Sequence, residues 1–319
     1  MLPPIGIASI GASVPETVLT NADLERMVDT SDEWIVSRTG IRERRVLGRE
    51  GRLRPYVANS GREALSRAGL APADLDFIIS SAMIPDRFCP AQSIEVARDL
   101  EADRAFCFDV NASCSGFVYG LAVAESFLKS RDVRRGLVTA ADQLTTVTDY
   151  ADRNSCILFG DGAAAAVVTS VDPAHRILYS ELGSTASMCE DVVVGGIKDA
   201  LGDRRSDLWF RQDGRKVYKF ALDKMKELFE SVPRRAGIPP SAVRYVIPHQ
   251  ANGRIIDAGA TAVGGKAEFI SVIDRYGNTS SSSIGLALHD AWERFRPGDI
   301  VMLLGFGGGM TWGAVLIEW

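Results

Sequence analysis

Histidine is scarce in this chain: His175, His249 and His289 are the only three among 319 residues. A metal centre would need them to converge, and none sits at ligand spacing from a thiol or carboxylate cluster, so no metal is expected. Cysteines are few and odd in number, at 89, 107, 114, 156 and 189, without a C-x-x-C pair. That pattern fits reduced thiols better than a disulfide framework or a zinc site. No apolar run approaches the roughly 18 residues that a membrane helix needs, and the alanine-rich GDGAAAAVV is far too short. Positive charge is not in excess either: 36 Lys and Arg against 41 Asp and Glu give a net charge of −5. An overall basic field for nucleic acid or an anionic membrane is therefore lacking. The opening MLPPIGIASIGASVPETVL has no basic leader and carries Pro3, Pro4 and Pro15. It reads as a first strand and turn rather than a signal peptide, and the protein is expected in the cytoplasm, without nucleic-acid or membrane partners.

The remaining composition is that of a globular protein, with 46% hydrophobic and 24% charged residues, in a length that suggests about two domains. Apolar runs alternate with helical patterns, as in LDFIISSAM, PAQSIEVARDL, RAFCFDV, CSGFVYGLAVAESFLKS and RRGLVTAAD. Such alternation predicts an α/β protein with a mostly parallel sheet. The second half repeats the theme. LDFIISSA corresponds to VRYVIPHQ, and FGDGAAAAVV to FGGGMTWGAVLI, which predicts a duplicated α/β unit with its seam near residues 171–176, at VDPAHR. The halves are placed at residues 1–172 and 173–319, packed as one body. Residues 183–214 lack periodicity and are rich in glycine and charge, which suits either a functional cover or a surface insertion.

The chemistry centres on DVNASCSGFVYGLAVAESF, residues 109–127. A strand ends at Val110, a short turn follows, and Cys114 stands at the mouth of an apolar helix, where free N–H groups and the macrodipole favour a thiolate. Taken alone, Cys114 is equally a small buried hydrophobe. The second half supplies VIPHQANGRII, which puts His249 beyond a strand's carboxyl end. It also supplies RYGNTSSSSIGLAL, which puts Asn278 in a turn before a small-residue helix; Asn278 there is either a non-titrating hydrogen-bonding group or a capping residue.

Together DVNASCSGF, PHQAN and YGNTS, with TSDEWIVSRTGIRERR near the start and GFGGGMTWGAVLIEW at the end, resemble the 3-oxoacyl-[acyl-carrier-protein] synthase III family of the thiolase superfamily. The resemblance covers essentially the whole chain. It implies a thiolase-like fold, duplicated halves packed as a layered α-β-α-β-α body, and a homodimer. It further implies that Cys114 takes an acyl group from a coenzyme A thioester. His249 and Asn278 would hold the thioester carbonyl of malonyl-carrier protein during decarboxylation, and the N–H groups of Cys114 and Gly308 would form the oxyanion hole. No resident cofactor is implied, coenzyme A thioesters being substrates.

By the same resemblance Trp34 and Arg153 flank the adenine, Arg38 reaches the coenzyme phosphates, Asn252 faces the pantetheine arm, and Arg254 serves both coenzyme binding and, with Lys219, carrier-protein docking. Thr261 and Ala262 stand where many members carry lysines, which thins the docking patch and leaves open whether the extender arrives on carrier protein or coenzyme A. The segment PDRFCPAQ, residues 85–92, runs in the family toward the partner's acyl pocket. Small Cys89 there implies a starter longer than acetyl, and Arg87, Arg211 and Gln212 suggest contacts to a polar or carboxylated acyl end. Fatty-acid or polyketide-type synthesis follows. The competing readings are an acyltransferase to a non-malonyl acceptor, which retention of both His249 and Asn278 disfavours, and an inactive scaffold or chain-length subunit, which would lack Cys114.

Overall fold

The computed structural model describes residues 3–48, 50–130, 132–196 and 208–319. In the first half the strands are β1 (Gly6–Ser13), β2 (Val18–Thr20), β3 (Glu43–Arg45), β4 (Phe77–Ser81), β5 (Phe106–Val110), β6 (Arg135–Asp142) and β7 (Gly162–Thr169). In the second half they are β8 (His175–Ser184), β9 (Val192–Val193), β10 (Arg211–Gln212), β11 (Val243–Pro248), β12 (Glu268–Phe269), β13 (Ile300–Gly307) and β14 (Thr311–Glu318). Ten of them join in the order β12-β11-β13-β14-β8-β1-β7-β6-β4-β5. The order reads the same from both ends inward: β5-β4-β6-β7-β1 in one half matches β12-β11-β13-β14-β8 in the other. The halves meet where β1 and β8 share two residue pairs, Gly6 with Arg176 and Ile7 with His175.

The sheet is less parallel than the sequence predicts. β4 runs parallel to β5 and β6, and β11 parallel to β12 and β13. β7 and β14 return antiparallel to β6 and β13. Only three residues join β13 to β14, too few for the crossover that a parallel neighbour needs. Hydrophobic alternation carries no strand direction, so this was not encoded in the pattern.

Strands β4, β6, β7 and β13 are buried along nearly their whole length, as expected where helices cover both faces. Between the two sheet halves lie the helices Gly116–Ser130 and Ser283–Ala291, each touching strands of both halves. Phe117, Val118, Leu121, Ile284 and Leu288 join Ile79, Val138, Ile247, Leu303 and Val315 in that central core. Helices Arg54–Ala68 and Gln92–Leu100 cover the outer face of the first half, and Gly214–Arg235 and Gly253–Ala262 that of the second. This is a five-layer, thiolase-like body. At about 25 cal/mol per Å² of apolar surface, the central helices, apolar nearly all round, contribute most per residue to the core. Their N-termini meet at one seam, and that places the site.

Candidate active site

Asn111, with its neighbour Ala112, ends β5 and enters a tight turn. Ser113 takes a left-handed φ of +48°, and the turn Ser113–Ser115 leads directly into helix Gly116–Ser130. The second half repeats this corner at Ser280, φ +54°, with turn Ser280–Ser282 leading into helix Ser283–Ala291. The two turns touch, with Cys114 Sγ 3.5 Å from Ser280 Oγ. The accessible surface of Cys114 opens on a cavity of about 1340 Å³ that Gly308 also lines. Here the structure reverses a sequence expectation: burial pushes the thiol up to about 12, helped by the charge of Asp142 and opposed by the hydrogen bonds of Ser280 and of the Cys114 amide. The helix mouth favours a thiolate, but loss of solvent outweighs it.

The close approach of β13 to this turn needs glycine. A Cβ on Gly307 would lie 2.8 Å from Cys114 N and 2.8 Å from Ala112 O. Beyond it, Thr311 Oγ1 donates to Ala112 O at 2.8 Å, which ties the start of β14 to the Cys114 turn.

His249 follows Pro248 at the end of β11, where its N–H donates to Leu304 O at 2.7 Å. Its Nδ1 lies 2.7 Å from Ser283 Oγ, and that oxygen already accepts from Gln250 N at 3.3 Å. No other hydrogen bond among the described residues takes the Ser283 hydroxyl hydrogen; given to Nδ1, it leaves the imidazole proton on Nε2 as a donor. Burial pushes His249 down to about 3, so the ring is neutral. Asn278 accepts on Oδ1 from Ser280 N at 2.9 Å, and its backbone is held by Leu158 O and Gly160 N. No hydrogen bond among the described residues engages its Nδ2. The structure therefore gathers Cys114, His249 and Asn278 at the seam where the two central helices begin.

Comparison with known proteins agrees in sequence and in space. The family model for 3-oxoacyl-[acyl-carrier-protein (ACP)] synthase III matches residues 108–186, and that for its C-terminal part residues 234–319. A beta-ketoacyl-[acyl-carrier-protein] synthase III of Roseiflexus castenholzii is 43% identical, covering 98% of this chain and 97% of its own. The chain belongs to the synthase III family. Among solved structures, the synthase III of Aquifex aeolicus superposes with a TM-score of 0.90 at 39% identity, covering 99% of this chain and all of that one. The priming β-ketosynthase of the R1128 polyketide pathway reaches 0.92 at 30% identity, covering 99% and 97%.

A second cavity, of about 950 Å³, extends from Trp34, Arg38 and Arg254 to Asn278. In this synthase III chain Arg153 does not stand apart from Trp34 but lies over it, 4.9 Å from the ring centre, and Arg38 approaches the same ring at 5.8 Å. An adenine between Trp34 and Arg153 requires them to separate. Asn252 lines the cavity with both polar atoms committed: Oδ1 accepts from Arg254 N at 2.8 Å, capping helix Gly253–Ala262, and Nδ2 donates to Arg38 O at 3.1 Å. Arg254 Nε donates to Ser37 O at 2.9 Å. Lys219 is exposed one helical turn beyond Arg215, itself in the wall of this cavity.

The residues expected around the acyl chain are all exposed on the single chain. Arg87 lies 3.6 Å from Glu95 on the surface, Cys89 is exposed, and Arg211 belongs to the exposed two-residue strand β10. None of the three lines the Cys114 cavity within one chain, and Gln212 lines the other one. Their neighbours do line it: Leu208, Trp209, Phe210 and Phe88, with Met83, Ile84 and Val192–Val194. Cys189 and residues 192–196 and 208–210 thus form part of the cavity wall, while 197–207 lie outside the described residues. Sequence reasoning also missed Asp142, Ser280 and Ser283. The run of four serines at 280–283, at a helix mouth, was the available signal for two of them.

Proposed function

We propose that this chain condenses an acyl group carried as a thioester on Cys114 with a malonyl thioester, releasing carbon dioxide and a 3-oxoacyl thioester. The observation that carries the reading is the contact of two turns at one seam, Cys114 Sγ lying 3.5 Å from Ser280 Oγ and Ser280 N donating to Asn278 Oδ1 at 2.9 Å, with a cavity beside each turn. One opens on Cys114, while the other reaches Asn278. In the first half-reaction the sulfur of Cys114 attacks the carbonyl of acyl-coenzyme A, and coenzyme A leaves with the proton that Cys114 loses. Backbone N–H groups of Cys114 and Gly308 hold the oxyanion. In the second, the malonyl carboxylate leaves as carbon dioxide, and the electron pair forms an enolate whose oxygen accepts from His249 Nε2 and Asn278 Nδ2. The enolate carbon attacks the Cys114 thioester; the carbon–carbon bond forms, the carbon–sulfur bond breaks, and the sulfur takes a proton from water. Neutral donors suit this step, because they hold the developing anion without protonating its carbon. Fixed donors of this kind are typically the largest catalytic contribution.

Acyl-coenzyme A enters along Trp34, Arg38, Arg153, Asn252 and Arg254, and the acidic malonyl-carrier protein docks at Lys219 and Arg254 of a homodimer, with no resident cofactor. Among the described residues no helix is long and apolar enough to cross a membrane, and no three metal-ligating side chains group together. The aromatic and aliphatic cavity wall supports an apolar starter longer than acetyl. A carboxylated acyl end would need Arg87 or Arg211, both exposed on the single chain, to reach it from a partner subunit, and the apolar starter is the reading put to test. Intact-mass measurement after mixing with acetyl-, hexanoyl- and glutaryl-coenzyme A tests both statements: one hexanoyl adduct forms fastest and Cys114→Ala abolishes it. An adduct that persists in Cys114→Ala refutes the nucleophile, and faster acetyl or glutaryl transfer refutes the starter.

A further inference from the structure

The two halves build the same corner twice and finish it differently. Asn111 Oδ1 accepts from Ser113 N at 3.2 Å as Asn278 Oδ1 accepts from Ser280 N at 2.9 Å. Both serines have positive φ, and both turns open a central helix. Ser281 is therefore the counterpart of Cys114. Against Cys114 N comes the end of β13, which is side-chain-free at Gly307. Against Ser281 comes the end of β6, the strand that corresponds to β13, and there stands Asp142.

The Asp142 carboxylate is fully buried and has no cationic partner among the described residues. It accepts four hydrogen bonds instead. Oδ1 takes Met83 N at 2.6 Å and Ile84 N at 2.9 Å, while Oδ2 takes Ser281 Oγ at 2.7 Å and Ser281 N at 3.3 Å. An unpaired buried charge is costly unless every lone pair is used, so this one is held by geometry that the fold supplies from both halves. Met83 and Ile84 line the Cys114 cavity, and Ser281 adjoins Ser280, whose amide Asn278 holds and whose hydroxyl reaches Cys114. His249 is anchored separately, by Ser283 and Leu304.

We propose that Asp142 is a positioning residue for decarboxylation: by gripping Ser281 it fixes the turn that aims the Asn278 amide, and it ties that turn to the wall of the acyl cavity. This rests on the condensation reading above. Asp142 does not touch the reacting atoms. Its charge does reach Cys114, where, beside a neutral His249 and the Ser280 hydroxyl, it raises the thiol. Removing that charge therefore leaves a signature that loosened packing alone does not.

The test compares Asp142→Asn and Ser281→Ala in the full-length protein by three measurements. These are self-acylation with hexanoyl-coenzyme A, carbon dioxide release from malonyl-carrier protein by the acylated enzyme, and the pH profile of Cys114 alkylation by iodoacetamide. An amide cannot accept from both donor pairs, so in Asp142→Asn one end of the link opens. Carbon dioxide release should fall about 10-fold or more, against the roughly 100-fold that a 1 Å misplacement costs, while acylation stays within about 3-fold. The alkylation profile should move to lower pH. Ser281→Ala keeps the charge, so release should fall by about 3-fold or more while the alkylation profile stays in place. Parallel loss of acylation and release in both variants, or unchanged release in Ser281→Ala, overturns the proposal. If Asp142→Asn does not fold, Ser281→Ala decides alone. Failure of the condensation reading itself shows elsewhere, as wild-type protein that takes up no hexanoyl group or releases no carbon dioxide.

Discussion

Asn278 has one job in this structure and a second in the proposed reaction, and substitution can separate them. Its Oδ1 accepts from Ser280 N at 2.9 Å and so shapes the turn, while its Nδ2 is the donor assigned to the enolate. Asn278→Ala removes both. The donor alone is worth about 10²- to 10³-fold, or about 2.7–4 kcal/mol of transition-state stabilisation. The lost turn bond costs about 1 kcal/mol more of structure, next to a serine whose Oγ is 3.5 Å from the nucleophile. Asn278→Asp is the sharper perturbation. It keeps the acceptor for Ser280 N and the volume, but replaces the donor by a carboxylate oxygen facing the nascent enolate. At pH 8 carbon dioxide release by the hexanoyl-enzyme should fall at least as far as in the alanine variant, by about 10²-fold or more, although the turn is intact. The position is buried, and burial disfavours the charged carboxylate and raises its pKa. The protonated fraction grows as pH falls, and a carboxylic acid can donate. Release by the aspartate variant should therefore recover between pH 8 and pH 5, with self-acylation measured alongside as the control. Wild-type release by Asn278→Asp at pH 8 refutes the donor role and leaves Asn278 as a turn residue, the job that Asn111 does in the other half.

Two further outcomes follow from the site's electrostatics and stacking. Because burial pushes Cys114 up to about 12, only about 10⁻⁴ of it is thiolate at pH 8, against roughly a quarter for an unperturbed thiol. Alkylation of the free enzyme should then climb nearly tenfold per pH unit from 7 to 10, and a plateau below pH 9 would contradict this account. With an adenine seated between them, Arg153 exchanges its contact with Trp34 for one with the adenine, so Arg153→Ala should raise KM for acyl-coenzyme A by less than the roughly 30-fold of one full cation–π contact, without changing kcat. Acyl-pantetheine lacks the adenine and should show no such rise; an equal rise with it removes the stacking role.

Much of this was legible because it is local. The strands β4 and β11 read as apolar runs at matching places in the two halves, and FGDGAAAAVV and FGGGMTWGAVLI mark β7 and the β13–β14 hairpin. Cys114, His249 and Asn278 each sit where a strand or turn meets a helix, and short motifs record such junctions. What escaped depends on long-range packing. Strand direction is not in the alternation of side chains, so the antiparallel return of β7 was missed, whereas at β14 the short glycine turn carries it. The helix mouth predicts a lowered thiol pKa, but the mass that the second half packs around Cys114 is invisible from residues 109–127. Arg87, Arg211 and Gln212 are exposed on the single chain; whether such a side chain faces a cavity, a partner or solvent is decided by packing that a loop's own sequence does not record. Asp142 closes an alanine-rich strand and looks like any turn residue until Ser281, 139 residues away, is brought to it.

The neutrality of the resting site also argues for the chemistry assigned to it. With the thiol pushed up and the imidazole pushed down, there is no thiolate–imidazolium pair of the kind that serves hydrolysis by activating both nucleophile and water. What the seam offers instead is converging donors. Two central helices begin there, each carrying about half a positive charge at its N-terminus. In the proposed reaction the N–H groups of Cys114 and Gly308 hold the acyl carbonyl, and His249 and Asn278 the malonyl one. A condensation needs two such places side by side, because negative charge forms first on the enolate and then on the tetrahedral adduct. At the corresponding corner of the second half the Ser281 amide and hydroxyl are both taken by Asp142, whereas Cys114 N meets the side-chain-free Gly307, so the two corners are not equivalent.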